Sequence, residues 1–152
     1  MKHYIHILLA AALTLAAAVS CTKPGTESDQ QATNKFIGNY SYTETLSVTI
    51  GKDTSPETKT GTLTITSPSD GKLHLTAPFA VDARIVSGGL QFQCDKVYVQ
   101  NDDNDMEYEF TLGYLDNDGK TLNLGYVGTG KKKVDGKMTT CRVVSIIVGT
   151  KR

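Results

Sequence analysis

The chain has no tryptophan, only four prolines and three cysteines, and no net formal charge across its 152 residues. Zero net charge excludes a strong electrostatic pull toward nucleic acid or an anionic membrane surface. Scarce proline and abundant Gly and Thr suit β-structure joined by tight turns. No amphipathic helical periodicity is visible after residue 20. A long apolar run occurs once. Ile7 to Val19 follows the short basic segment Met1–His6 and carries no charge. The run is too short to span a bilayer, which takes ~20 apolar residues, and has the length of a signal-peptide core.

Ala18-Val19-Ser20-Cys21 closes that run. Small residues ahead of a cysteine here resemble a bacterial lipobox, with Ala18 where Leu is usual. The expectation is a lipoprotein signal peptide over residues 1–20 and a lipid anchor (palmitate among its acyl chains) on Cys21. An ordinary secretory signal is the alternative. Residues 21–35 are polar, contain Pro24-Gly25 and read as a flexible tether. The address implied is the cell envelope: an outer-membrane lipoprotein facing either the periplasm or the surface, with the membrane as partner through Cys21.

What the chain does contain is alternation. From Phe36 to Ile50 the even positions Tyr40, Tyr42, Leu46, Val48 and Ile50 are apolar and the odd ones carry hydroxyls. Side chains alternate across a strand, so this is one long strand with an apolar face. Gly51–Thr60 reads as a polar hairpin loop. Shorter strands follow over 61–66, 72–76, 81–86 and 90–99. Met106, Tyr108, Phe110, Leu112 and Tyr114 share one face of the next. Leu122, Leu124 and Tyr126 continue the pattern, and Met138–Val148 ends it. Turn signals at Ser69-Asp70-Gly71, Asp116–Gly119 and Lys131–Lys137 separate them.

Eight such strands predict an all-β fold: an eight-stranded up-and-down antiparallel barrel over residues 36–152, with a β-sandwich as the alternative. Closure would pair Phe36–Ile50 antiparallel with Met138–Thr150. Neither segment carries the proline or lysine guard of an exposed edge.

Gly61-Thr-Leu-Thr-Ile-Thr66, the terminal Val148-Gly149-Thr150-Lys151 and the lipobox with its tether together resemble the calycin-like, or lipocalin-like, β-barrel lipoproteins of Bacteroidota. That resemblance implies a small barrel holding an apolar ligand, with no established reaction. The wider lipocalin pattern opens on Gly-x-Trp under an arginine from near the last strand. Gly38-Asn39-Tyr40 stands in that place here, with Arg142 as the basic partner or, alternatively, pointing to solvent.

Glu44 is the one acid on the apolar face of the first strand. An unpaired buried carboxylate is costly, so Glu44 either pairs with Arg142 inside a closed barrel or sits where the strand meets water. Cys94 and Cys141 remain once Cys21 is lipidated, and two cysteines in an exported domain usually pair. The disulfide is set against two separate buried thiols. Asp102, Asp103, Asp105 and Glu107 do not have the spacing of a calcium loop, so no metal and no cofactor are expected. His74 lacks a triad around it, and no catalytic residue is assigned. The expected function is non-enzymatic: a barrel lined by Tyr42, Leu46, Val48, Phe92, Tyr108, Phe110, Leu112 and Leu124 that binds a small hydrophobic ligand. The alternative is the same barrel packed solid as a structural or interaction module.

Overall fold

A computed structural model describes residues 29–152. The expected signal peptide and Cys21 lie outside the described residues, as does the first part of the expected tether. The described residues form α1 (Asp29–Phe36) and ten strands: β1 (Gly38–Ile50), β2 (Asp53–Ser69), β3 (Lys72–Leu75), β4 (Val81–Val86), β5 (Gln91–Cys94), β6 (Val97–Gln100), β7 (Asn104–Phe110), β8 (Gly113–Leu115), β9 (Thr121–Val134) and β10 (Lys137–Lys151). Every pairing is antiparallel, and β10 bonds to both β1 and β9, which closes the ring.

Ten strands make eight staves. β5 and β6 are one stave interrupted at Asp95-Lys96, and β7 and β8 are another interrupted at Thr111-Leu112. The expected eight-stranded up-and-down barrel is therefore present, and so is its closure. Tyr40 faces Lys151 and Ile50 faces Cys141 across an unbroken antiparallel register.

Two expectations about extent change. Gly51–Thr60 is not a loop: the turn is Gly51-Lys52, and β2 starts at Asp53. Its first residues are exposed, so no apolar alternation announces them, and cross-strand pairing with β1 holds them extended. The second change concerns 29–35, which folds as α1 rather than as tether. Ala32, Thr33 and Phe36 sit on one helical face and are buried, while the rest of the helix is largely polar. Phe36 meets the Phe92 ring edge-on at 5.1 Å. Thr33 Oγ1 accepts the Gly71 N–H at 2.9 Å, which ties the helix to the β2–β3 turn.

The helix end is clamped by the first and last strands. Tyr40 Oη donates to the Phe36 carbonyl at 2.6 Å, and Lys151 Nζ to the Lys35 carbonyl at 3.0 Å, so both satisfy carbonyls that the helix itself leaves open. Gly38 joins helix to strand at φ +151°, and a Cβ there would meet the Lys151 side chain at 2.6 Å. Only glycine fits both the dihedral and the space.

α1 plugs the lower end of the barrel. Around the plug, Tyr40, Leu63, Ile65, Leu73, Leu75, Phe92 and Leu122 are all fully buried. The upper end differs because β3 and β4 are short. Among the described residues, 53–64 of β2 have β1 as their only strand partner, and β6 pairs with β7 alone. The upper wall therefore has a gap between β2 and β6.

Candidate functional site

The gap opens onto a cavity of about 360 Å3 in the upper half of the barrel. Alternation supplies most of its lining. Tyr42, Glu44, Leu46 and Val48 point inward from β1, Glu57 and Lys59 from β2, Met106 and Tyr108 from β7, Tyr126 and Lys132 from β9, and Cys141 and Val143 from β10. Pro78 and Phe79, from the loop between β3 and β4, complete it on the side of the gap.

The floor is polar. Glu44 is 2% exposed and sits among apolar neighbours. Tyr126 Oη donates to its Oε1 at 2.6 Å, and Ser145 Oγ donates to the same oxygen at 2.7 Å. Tyr126 and Ser145 are direct partners across β9 and β10, so their hydroxyls converge from adjacent staves. Two hydroxyl donors offset part of the cost of burying a carboxylate. Oε2 accepts no hydrogen bond from a described residue. No buried side-chain oxygen among those residues is left without a partner, so Oε2 is open to the cavity that Glu44 lines. The Tyr126 phenol is pushed well above its ordinary range, first by burial and then by its hydrogen bond to Glu44 and that group's charge. Tyr126 therefore stays a donor.

The wall above the floor is aromatic. Phe79 lies 4.5 Å from Tyr108 and 5.4 Å from Tyr126 between ring centroids. Tyr108 and Tyr126 are 5.6 Å apart and close to perpendicular. Phe110 stands behind Tyr126, also at 5.6 Å. These are the spacings of favourable edge-to-face and tilted ring pairs.

Of the residues expected to line a ligand site, Tyr42, Leu46, Val48 and Tyr108 do so. Phe92 and Leu124 are buried outside the cavity lining, and Phe110 backs the aromatic wall. Leu112 points outward. The β7–β8 stave slips by one residue against β9 between Phe110 and Tyr114, which turns Leu112 and Tyr114 to the outer face. Thr111 holds that slip: its N–H donates to the Gly125 carbonyl, and its Oγ1 accepts the Gly125 N–H, each at 2.9 Å.

Three expected pairings are corrected. Glu44 bonds to Tyr126 and Ser145, not to Arg142. Arg142 is exposed, because β10 buries its odd positions and Arg142 is even. Tyr40 likewise takes a different cation: Lys151 Nζ lies 5.8 Å from its ring centroid, within cation–π reach. Cys94 and Cys141 are separate buried thiols. Cys94 pairs across to Ala83 on β4 and Cys141 to Ile50 and Gly130, so their strands are not neighbours.

Sequence reading missed Phe79, Met106, Tyr126 and Ser145 as site residues. Alternation already put Met106 and Tyr126 inside. Ser145 was hidden in a strand apolar on both faces, and nothing in Pro78-Phe79 signals that this loop folds over a gap. His74, expected without an acidic partner, bonds through Nδ1 to Asp82 Oδ1 at 2.7 Å on the outer surface. Among the described residues no group of three His, Cys, Asp or Glu side chains could hold a metal ion. Asn101 Oδ1 accepts the Asp103 and Asn104 N–H groups, so the acidic loop is organised by its own turn. No described helix is long and apolar enough to cross a membrane.

Fold and site together define an eight-stave up-and-down β-barrel, plugged at one end and cupped at the other. No family model and no curated protein matches the chain. Among solved structures it is similar to an S-type phycobiliprotein lyase from Guillardia theta, at 10% identity and a TM-score of 0.40, over 84% of this chain and 94% of that one. It is also similar to an auxiliary nutrient binding protein from Bacteroides thetaiotaomicron, at 12% identity and a TM-score of 0.33. That match covers 75% of this chain and 46% of the other, so the chain spans less than half the length of that protein.

Proposed function

We propose that this is a non-enzymatic, lipid-anchored protein of the cell envelope, held at the outer membrane through Cys21, whose barrel binds a small and largely apolar ligand. The observation that carries the reading is the cavity. About 360 Å3 lies within the range of small-molecule sites, ~300–1,000 Å3. Aromatic and aliphatic side chains share its lining with the polar Glu44, Glu57, Lys59, Asn104 and Lys132, and convergent polar groups in such a site fix a ligand's orientation. A barrel packed solid throughout would favour the structural-module alternative, and only the lower half is packed in that way.

The test is binding of Nile red, a neutral apolar dye, monitored by fluorescence. The protein should bind the dye saturably, and Val143→Phe, which fills the cavity from β10, should weaken binding at least several-fold without loss of the folded β signature in circular dichroism. Binding unaffected by Val143→Phe would place the dye elsewhere and remove the support for a cavity ligand. The anchor is tested separately. Cys21→Ser should move the protein from the membrane fraction to the soluble fraction, and a variant that still sediments with membranes would end the lipoprotein reading.

A further inference from the structure

The cavity has a feature that a purely apolar ligand would leave unused. Glu44 Oε1 already accepts two hydroxyl protons, from Tyr126 and Ser145. Oε2 accepts none from any described residue, although Glu44 is 2% exposed and lines the cavity. The Tyr126 and Ser145 protons are spent on Oε1, so the floor presents an acceptor with no donor.

No described cation meets this acceptor. Lys59 lies directly opposite Glu44 in the β1–β2 register and on the same face. Its Nζ is drawn away to Glu57 Oε1 at 3.4 Å, and both of those side chains are about half exposed. Lys132 is also exposed, on the cavity's outer margin. Formal charges lining the cavity cancel between these residues, but depth separates them. Glu57, Lys59 and Lys132 are solvated and screened, whereas a charge at the floor acts through a medium of low dielectric. Around that floor stand the rings of Tyr42, Phe79, Tyr108 and Tyr126, whose faces attract cations.

We propose that the ligand is a small organic cation: an amine carried on an aromatic or apolar body, with its ammonium on Glu44 Oε2 and its body among Tyr42, Phe79, Tyr108 and Tyr126. This rests on the reading that the cavity binds a small ligand, and it adds the chemical class. An alcohol of the same shape would satisfy the hydrogen bond but not the charge. A carboxylate of the same shape would be repelled from the floor.

The experiment measures calorimetric affinities of the full-length protein for phenethylamine, phenethyl alcohol and hydrocinnamate, beside Nile red. The amine should bind about tenfold to a hundredfold more tightly than the alcohol, the range of a charge-assisted hydrogen bond, with hydrocinnamate weakest. Glu44→Gln keeps the size and an acceptor oxygen and removes the charge. It should abolish the preference for the amine over the alcohol, with an unchanged β signature in circular dichroism as the check that the variant is folded. Equal affinity for amine and alcohol, or a preference that survives Glu44→Gln, overturns the proposal while the cavity remains a ligand site. If neither Nile red nor any of the three compounds binds, the ligand-binding reading fails and the proposal fails with it. Should Glu44→Gln not fold, the amine-to-alcohol ratio of the unmodified protein decides alone.

Discussion

Below Glu44 the barrel is solid, and above it the same strands enclose a void. Both halves are built by one rule, alternation of inward and outward side chains on antiparallel staves. The difference lies in what completes each half. At the lower end all eight staves are present and α1 inserts Phe36 against Phe92. At the upper end β3 and β4 stop short, and β2 runs on without a second neighbour. Among the described residues Pro78 and Phe79 bridge the gap, and they leave about 360 Å3 behind them. A cavity here is a consequence of unequal stave lengths, not of unusual side chains.

The comparison can be broken most forcefully at the plug. Phe36→Ala removes a fully buried ring from the lower core, and a truncation of this kind costs ~3–5 kcal/mol. Urea denaturation should show that loss as a lower midpoint. The same truncation at Phe79, which borders an existing void, should cost clearly less, because the surroundings lose fewer contacts.

Two glycines sharpen the contrast at smaller cost. A Cβ on Gly113 would strike the Phe92 ring, which is fully buried and held by Phe36. Gly113→Ala should therefore overpack the lower half and destabilise by ~1–3 kcal/mol. A Cβ on Gly128 meets the Tyr108 ring in the same way, at 2.5 Å from Cε1. Tyr108 borders the cavity and can swing into it. Gly128→Ala should therefore leave the denaturation midpoint nearly unchanged and weaken Nile red binding.

Alkaline pH reaches buried groups in both halves, Tyr108, Tyr126 and Cys141 around the cavity among them, and Cys94 reports on the lower one. Burial, with the charge of Asp95 adding to it, pushes the Cys94 thiol from 9.0 up to about 12. A folded pKa above the unfolded one means that the folded state holds its proton longer. The stability linked to Cys94 is then complete below pH 9 and is lost as the pH climbs toward 12. The slope is about 1.4 kcal/mol per pH unit over that window. Cys94→Ala should flatten the alkaline limb of a stability–pH curve measured by denaturant titration.

The smallest effect is one of labelling. Cys141 lines the cavity, whereas Cys94 is buried away from it. Burial also raises the Cys141 thiol, so both react slowly. Iodoacetamide on the native protein, read by peptide mass spectrometry, should modify Cys141 ahead of Cys94, and saturating the cavity with ligand should slow the Cys141 reaction. Equal protection of both thiols would mean that the cavity is closed to solvent.

Much of the lower half was legible in the sequence. Leu63, Ile65, Leu73 and Leu75 alternate within short strands bounded by turn residues, and that pattern has one arrangement in a sheet. Closure followed from two long strands without edge guards. α1 was not legible, because an eight-residue segment with three buried positions carries too little periodicity to stand out from a tether. Leu112 was misplaced because a one-residue slip reverses the face of everything beyond it. The two readings of Arg142, inside the barrel or facing solvent, stayed open for a related reason, since both faces of β10 are apolar from Val143 onward and the strand's phase cannot be read from hydrophobicity alone; the structure decides for solvent.

The sequence by itself determined the staves, their order and their closure, because alternation and turn chemistry act between residues close in the chain. It also marked Glu44 as an anomaly on an apolar face. Only the tertiary structure decided what Glu44 means. Its partners Tyr126 and Ser145 lie on strands far along the chain, brought beside each other by the β9–β10 register. The cavity over them exists because β3 and β4 end before β2 does, a mismatch between elements that no local pattern records.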